Sequence, residues 1–271
     1  MKAGQFRNIE LERAGAVATL YLNRPAKMNP LDWGTVKELL AALDIIEADA
    51  EIEIVVISGR GSAFSAGGDL DKYIGLYAAP AQFHDFLRDL YTLLDRLERS
   101  TRIVIAAVNG VCVAGGLELI LACDVVVVAE EARIADGHLN FGQLPGAGGS
   151  QRLPRAIGTL RAKELILTGR FISGQEARDI GLASICAPAG DLPATLERLI
   201  ASLLQKSHAG RSGAKYLINE GLKGALHNGL ELELTYVHHY ATTHPDATEG
   251  LLAFKEGRPP RFRSPRDKAG A

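Results

Sequence analysis

Hydrophobic and polar positions switch between two periods along the first two-thirds of the chain, and the switches predict the elements. FRNIELERAGAVATLYLNR (6–24) has two extended, partly alternating halves around Ala14-Gly15, the pattern of a hairpin. Pro25 ends the second half, and Asp32 is placed to cap a helix over Trp33–Ala48, in which Val36, Leu39, Leu40, Leu43 and Ile46 share one face. Ile52–Ser58 is a continuous apolar run, as in a strand buried on both faces. GRGSAFSAGGDLDKY (59–73) is a glycine-rich loop, with Asp69 as the N-cap of a helix to about Leu76. After a break at Ala79-Pro80, Phe83–Leu97 returns to the helical period and turns Phe86, Leu90, Leu93, Leu94 and Leu97 inward.

The stretch AVNGVCVAGGLELILACD (107–124) organises the rest. A buried strand (Ile103–Val108) leads through an Asn109-Gly110 turn and a short extended piece to Gly115-Gly116, which open an apolar helix holding Glu118. VVVVAE (125–130) is another buried strand, and 132–158 is loop-rich. Its glycine cluster Gly146–Gly149, followed by Ser150 and Arg152, stands at a further helix entrance. From Thr159 the pattern is helical over 159–168, 174–180, 191–206, 208–223, 227–242 and 246–256, with one strand at Ala183–Ala187. This predicts an α/β core over 1–205, built from recurring strand-strand-helix units, and a helical region over 206–271.

Composition narrows the classes. A chain of 271 residues, 47% hydrophobic with net charge −2, can bury a full core and gives no electrostatic reason to bind nucleic acid. The Arg-rich RPPRFRSPR (258–266) reads as a solvated tail. Cys112, Cys123 and Cys186 are odd in number, widely spaced and set among apolar residues, which suits reduced thiols and offers neither a disulfide framework nor metal-ligand spacing. The N-terminus has no apolar signal core, and the apolar region 103–129 is interrupted by Asn109, Glu118 and Asp124. The expectation is a soluble cytoplasmic protein without membrane, nucleic-acid or metal partners.

Candidate chemistry lies at the glycine pairs. The first N–H groups of a helix have no intrahelical partner, and glycine lets a ligand approach them closely. Glu118 stands three residues past Gly115 on the same helical face, among Leu117, Leu119, Ile120 and Leu121. An oxyanion-binding amide beside a carboxylate in apolar surroundings is a layout for enolate chemistry; a buried helix whose one acid is capped or paired fits this segment equally. Gly67-Gly68 before Asp69 repeats the layout without a P-loop or a dinucleotide fingerprint, and a plain capped loop is open there too.

Six segments in order resemble the enoyl-CoA hydratase/isomerase (crotonase) superfamily: LNRPAKMNPLD (22–32), GSAFSAGGDL (61–70), AAVNGVCVAGGLELILACD (106–124), LPGAGGSQRLPRAIG (144–158), LTGRFISGQEARDIGL (167–182) and GLLAFKEGRPPRF (250–262). The resemblance implies a crotonase-like α/β spiral of ββα units whose C-terminal helices mediate a homotrimer or a dimer of trimers. It implies an acyl-CoA thioester substrate, with coenzyme A arriving as part of that substrate and no other cofactor. Matched residue by residue, the oxyanion hole is the backbone N–H groups of Gly68 and Gly115, each such donor being worth roughly 3 kcal/mol in the transition state. Glu118 takes the place of the first of two family glutamates around one water. The second place, seven residues before Pro145, holds His138 instead. Asp136 precedes it by two, so in an extended segment both side chains face one way and the carboxylate could orient the ring or raise its pKa. Lys27, Ala66 and Lys72 match coenzyme-binding positions, and Arg258 matches one that acts from a neighbouring position. The implied activity is addition or removal of water at a 2-enoyl/3-hydroxyacyl-CoA. The histidine leaves open double-bond isomerisation, a carnitinyl-CoA-like dehydration or racemisation, thioester hydrolysis, or a binding role that has lost the chemistry.

Overall fold

Apolar strands with no polar face need neighbours on both sides and cover above and below. In the computed structural model, which describes residues 6–263, the buried runs accordingly lie in the middle of a six-stranded sheet ordered β1-β2-β3-β5-β7-β10. β1 (Ile9–Ala14) and β2 (Val17–Leu22) form the antiparallel hairpin that the alternation predicts. β3 (Ile54–Gly59), β5 (Ile103–Val108), β7 (Val125–Ala129) and β10 (Ile185–Ala187) then add in parallel. A second, four-stranded sheet consists of β4 (Ala63–Ser65), β6 (Val111–Val113), β8 (Arg133–Ala135) and β9 (Ile172–Ser173). Its first three strands are parallel neighbours.

The two sheets grow together. The chain contributes β3 to the large sheet, β4 to the small one, and then the helices α2 (Leu70–Tyr77) and α3 (Pro80–Arg99), after α1 (Trp33–Ala48) has followed the hairpin. It repeats this with β5, β6 and α4 (Gly115–Ile120), and again with β7, β8 and α5 (Gly149–Ile157). Each round moves the path over by one strand, which makes a spiral of ββα units. The carboxyl ends of β4, β6 and β8 therefore lie side by side.

Three helix starts show what the local sequence decides. Asp32 caps α1 as expected, accepting the Thr35 N–H at 2.8 Å. Asp69 occupies the N-cap position of α2 without capping it: its carboxylate accepts from Arg24 Nη2 at 3.2 Å, a charged donor that outcompetes a neutral amide. α3 begins at Pro80 rather than Phe83, because the first turn needs no N–H from its residues. Its buried residues are the five expected, Phe86, Leu90, Leu93, Leu94 and Leu97.

α6 (Thr159–Thr168), α7 (Gly174–Asp179) and α8 (Leu192–Leu204) pack around this core, followed by α9 (His208–Gly221), α10 (Leu226–Thr243) and α11 (Pro245–Lys255). A buried clamp holds α9 to the core. Lys215 Nζ donates to Leu97 O at 2.8 Å and Arg102 O at 3.1 Å and pairs with Asp124 Oδ2 at 2.8 Å. α10, by contrast, has no buried residue and exposes Leu226, Leu230, Leu234 and Val237. Among the described residues, no helix is long and apolar enough to cross a membrane.

The clamp makes a testable statement about stability. Lys215→Met keeps the apolar stem but leaves Asp124 buried without its cation, and removing one partner of such a pair costs about 3–5 kcal/mol. Denaturant unfolding at neutral pH reads this directly; a loss below about 1 kcal/mol would make Lys215 an ordinary surface charge.

Candidate active site

Three loops leave the neighbouring carboxyl ends of β4, β6 and β8, and each carries residues singled out from the sequence: Gly68 after β4, Gly115 and Glu118 after β6, and His138 after β8. The first two loops touch. A β-carbon on Gly67 would stand 2.8 Å from Ala114 Cβ, 2.9 Å from Val113 O and 3.3 Å from Gly115 N, and one on Gly116 would stand 2.7 Å from Ser65 O. The three distances below 3.0 Å are shorter than real β-carbons tolerate, so glycine is what lets the backbones meet. Gly67 also has φ +86. Ala114, immediately before α4, is held at φ 51 and ψ −115, a conformation that costs an L-residue free energy and persists only where its surroundings enforce it. The first loop is fixed from below: Ser65 Oγ donates to Asn29 O, the Asn29 side chain donates to Arg60 O and Ala63 O, and Leu31 N donates to Gly67 O.

Among the described residues, neither the Gly68 nor the Gly115 N–H donates to a loop, turn or cap carbonyl. α4 has only six residues, so its start offers individual N–H groups rather than a substantial macrodipole.

Glu118 is 2% exposed. Its Oε1 accepts from Ala147 N at 2.7 Å and Gly149 N at 2.8 Å, both in the third glycine cluster. Arg152 holds that cluster in place, donating to Ala147 O at 2.9 Å while its other nitrogens form a bidentate pair with Glu98, both bonds at 2.7 Å. Two fixed amides thus pin one carboxylate oxygen and leave Oε2 for the cavity. Burial pushes the Glu118 pKa up; the Gly149 and Ala147 amides and the His138 charge pull against that without cancelling it.

His138 meets Glu118 across the cavity, with Nε2 3.7 Å from Glu118 Oε2 and Nδ1 3.0 Å from Asp136 Oδ1. The route differs from the extended segment expected. Gly137 is left-handed (φ 68), His138 starts a single 3₁₀ turn, and its own N–H returns to Asp136 Oδ1 at 3.3 Å. Burial lowers the His138 pKa, but the hydrogen bond to Asp136 and the Glu118 charge outweigh it and leave it raised. Tyr73 belongs to the site as well, although its helical pattern does not set it apart from a core residue. Its ring lies against Gly68, where an added β-carbon would stand 2.2 Å from Cε2. It packs on Phe86 at 5.6 Å, and burial first, then the Glu118 charge, raises its pKa. Its position one turn past Asp69 was the available signal.

These groups line a cavity of about 490 Å³ whose far wall is Phe83, Phe86, Leu87 and Leu90 of α3. Tyr77 bridges its side by donating to Gln143 Oε1. Lys27 and Ala66 line this cavity too. Lys27 is shared with a wider outer cleft of about 870 Å³ that contains Lys72 together with Arg7, Arg24 and Trp33. Arg258 lines neither space and is bound to Glu249 and Glu256. Among the described residues, no cluster of His, Cys, Asp and Glu is arranged to hold a metal ion.

The fold is a crotonase-type α/β spiral with a cavity, lined by Glu118 and His138, at the ends of its small sheet. A sequence model described as enoyl-CoA hydratase/isomerase matches residues 12–265. A crotonyl-CoA hydratase of Syntrophomonas wolfei is 33% identical over 260 residues, covering 95% of this chain and 98% of its own. The mitochondrial enoyl-CoA hydratase of Pongo abelii is 34% identical, with 95% and 88% covered. The crystal structure of an enoyl-CoA hydratase from Bacillus anthracis superimposes with a TM-score of 0.89 at 36% identity, over 95% of this chain and 100% of that one. The chain belongs to the enoyl-CoA hydratase/isomerase family and is an enzyme of that family, in general terms a lyase.

Gly67→Ala tests the contact between the loops. A β-carbon at that φ, against Ala114 and Val113 O, is expected to cost about 2–4 kcal/mol in unfolding experiments. Wild-type stability would mean that the loops have room to separate.

Proposed function

We propose that this enzyme adds water to, or removes it from, a 2-enoyl/3-hydroxyacyl-CoA thioester. One observation carries the reading: Glu118 has one oxygen pinned by two amides and the other directed at His138, beside two loops whose glycine amides are unspent. In the hydration direction, Glu118 Oε2 takes a proton from water as the water oxygen bonds to C3. The π electrons move to the thioester oxygen, which the Gly68 and Gly115 N–H groups stabilise as an enolate. His138 Nε2–H then gives its proton to C2 as the carbonyl reforms. The proton now on Glu118 returns to His138 across the 3.7 Å between them, which resets both groups. No other cofactor enters this cycle.

The acyl chain fits the apolar cavity, and the coenzyme's phosphates suit the outer cleft, where Lys27 stands at the junction and Lys72, Arg24 and Arg7 supply charge. Arg24 is already paired with Asp32 and Asp69, and Lys27 lies 3.9 Å from the same Asp69 oxygen, so Lys72 and Arg7 contribute most of the free charge. The free cysteines Cys112, Cys123 and Cys186 suit a reducing, cytoplasmic compartment. The exposed apolar residues of α10, together with Leu251, Leu252 and Phe254 of α11, suit burial in a homotrimer or a dimer of trimers. A partner copy would also be the context in which Arg258 reaches a coenzyme.

Glu118→Gln keeps the shape and removes the base. Turnover of a short 2-enoyl-CoA should fall by at least about 10²-fold while calorimetric binding of coenzyme A is retained. Unchanged turnover would overturn the role of Glu118. Sedimentation should give a mass that is a multiple of three of the 29.0 kDa chain, and a monomer at micromolar concentration would contradict the assembly.

A further inference from the structure

Asp136 is a buried acid beside the site for which the reaction cycle above has no use. It is 0% exposed, and its bonds run to a single neighbour: Oδ1 accepts from the His138 backbone at 3.3 Å and lies 3.0 Å from His138 Nδ1. Its Oδ2 is buried without a hydrogen-bond partner. Among the described residues, no Lys or Arg pairs with it. A carboxylate left half-satisfied in the interior is costly unless a positive charge offsets it, and the imidazole is the group in place to carry that charge. The backbone is shaped for this contact. Gly137 turns at φ 68, and a β-carbon there would stand 2.8 Å from Val113 Cγ1, so the bend that folds His138 back on Asp136 needs glycine.

We propose that Asp136 is a positioning residue which, with His138, forms a single acid: the carboxylate holds Nδ1–H, presents Nε2–H to the cavity, and cancels the ring's charge. The charge matters because Glu118 is only 3.7 Å away. A lone imidazolium there would lock Glu118 into an ion pair and weaken it as a base. With Asp136 behind the ring the pair is neutral overall when protonated, so Glu118 stays basic while the proton remains available. The other titratable groups facing this arrangement are Tyr73 from α2, whose pKa is raised by burial and by the Glu118 charge, and Arg152 from α5, which acts on Glu118 through the loop it props. Neither contacts Asp136.

The kinetic part of this assignment rests on the hydratase reading, and the spectroscopic part does not. In Asp136→Asn the amide oxygen still accepts Nδ1–H but no longer offsets the charge. Loss of an orienting carboxylate behind a catalytic imidazole costs up to about 10⁴-fold in turnover, so kcat should fall by about 10²-fold or more with KM changed less than about threefold. His138 must be protonated to act as the acid, and activity is lost as pH rises through its pKa. Removing Asp136 lowers that pKa, so the basic limb of the kcat profile should move to lower pH. In a His138→Gln background the same substitution should change kcat by less than about twofold, because nothing is left to position. Nitrogen NMR of the His138 ring, assigned by its loss in His138→Gln, should show protonation persisting to higher pH in the wild type than in Asp136→Asn.

An equal drop in kcat in both backgrounds would make Asp136 merely structural and overturn the proposal, as would a ring titration that Asp136→Asn leaves unmoved. A shifted ring titration in a protein that does not hydrate any enoyl-CoA would sink the hydratase reading and leave the pair standing. An unmoved ring in an active hydratase would do the reverse.

Discussion

Everything at the site depends on two backbones lying closer together than side chains allow. The loop after β4 and the loop after β6 reach contact because Gly67 and Gly116 have no β-carbon where Ala114 Cβ, Val113 O and Ser65 O already stand. Once the loops touch, Gly115 stands against Gly67, the neighbour of Gly68, and α4 starts from that contact. That start places Glu118 under the third glycine cluster, whose amides fix one of its oxygens. The backbone strain at Ala114 belongs to the same constraint, because the chain bends sharply there to leave β6 and enter α4.

The electrostatics follow from this geometry. A carboxylate in apolar surroundings would give up its charge, but two fixed amides and a nearby imidazole support it. The imidazole is supported by Asp136 on its far side. The result is a line of groups, Asp136 to His138 to Glu118, in which the histidine and the glutamate are perturbed mainly by burial and by their neighbours. Arg152 stands outside the line and holds it indirectly, since its grip on Glu98 and on Ala147 O sets the loop that sets Glu118.

Much of the architecture was legible in the sequence, and the reason is length. The buried runs of β3, β5 and β7 and the amphipathic faces of α1 and α3 span enough residues to show a period. β4, β8 and β9 have two or three residues each and show none, so the small sheet stayed hidden although it positions the whole site. Asp69 looked like a cap because capping is a local rule, whereas its actual partner, Arg24, is distant in sequence. Glycine pairs and Glu118 stood out because they break an apolar pattern. Tyr73 did not, because an aromatic residue on a helix resembles any other core residue until the cavity beside it is known.

The ammonium of Lys215 has a further meaning for how the C-terminal helices are seated. Three oxygens wait for it, on α3, on the segment before β5 and on the turn before β7, all within 3.1 Å. A slip of α9 by one residue would swing the ammonium about 100° around the helix axis and move it about 1.5 Å along it, out of reach of all three. An apolar side chain would tolerate such a slip. The buried ion pair therefore acts as a key for register, deciding where the helix sits more than how tightly it is held.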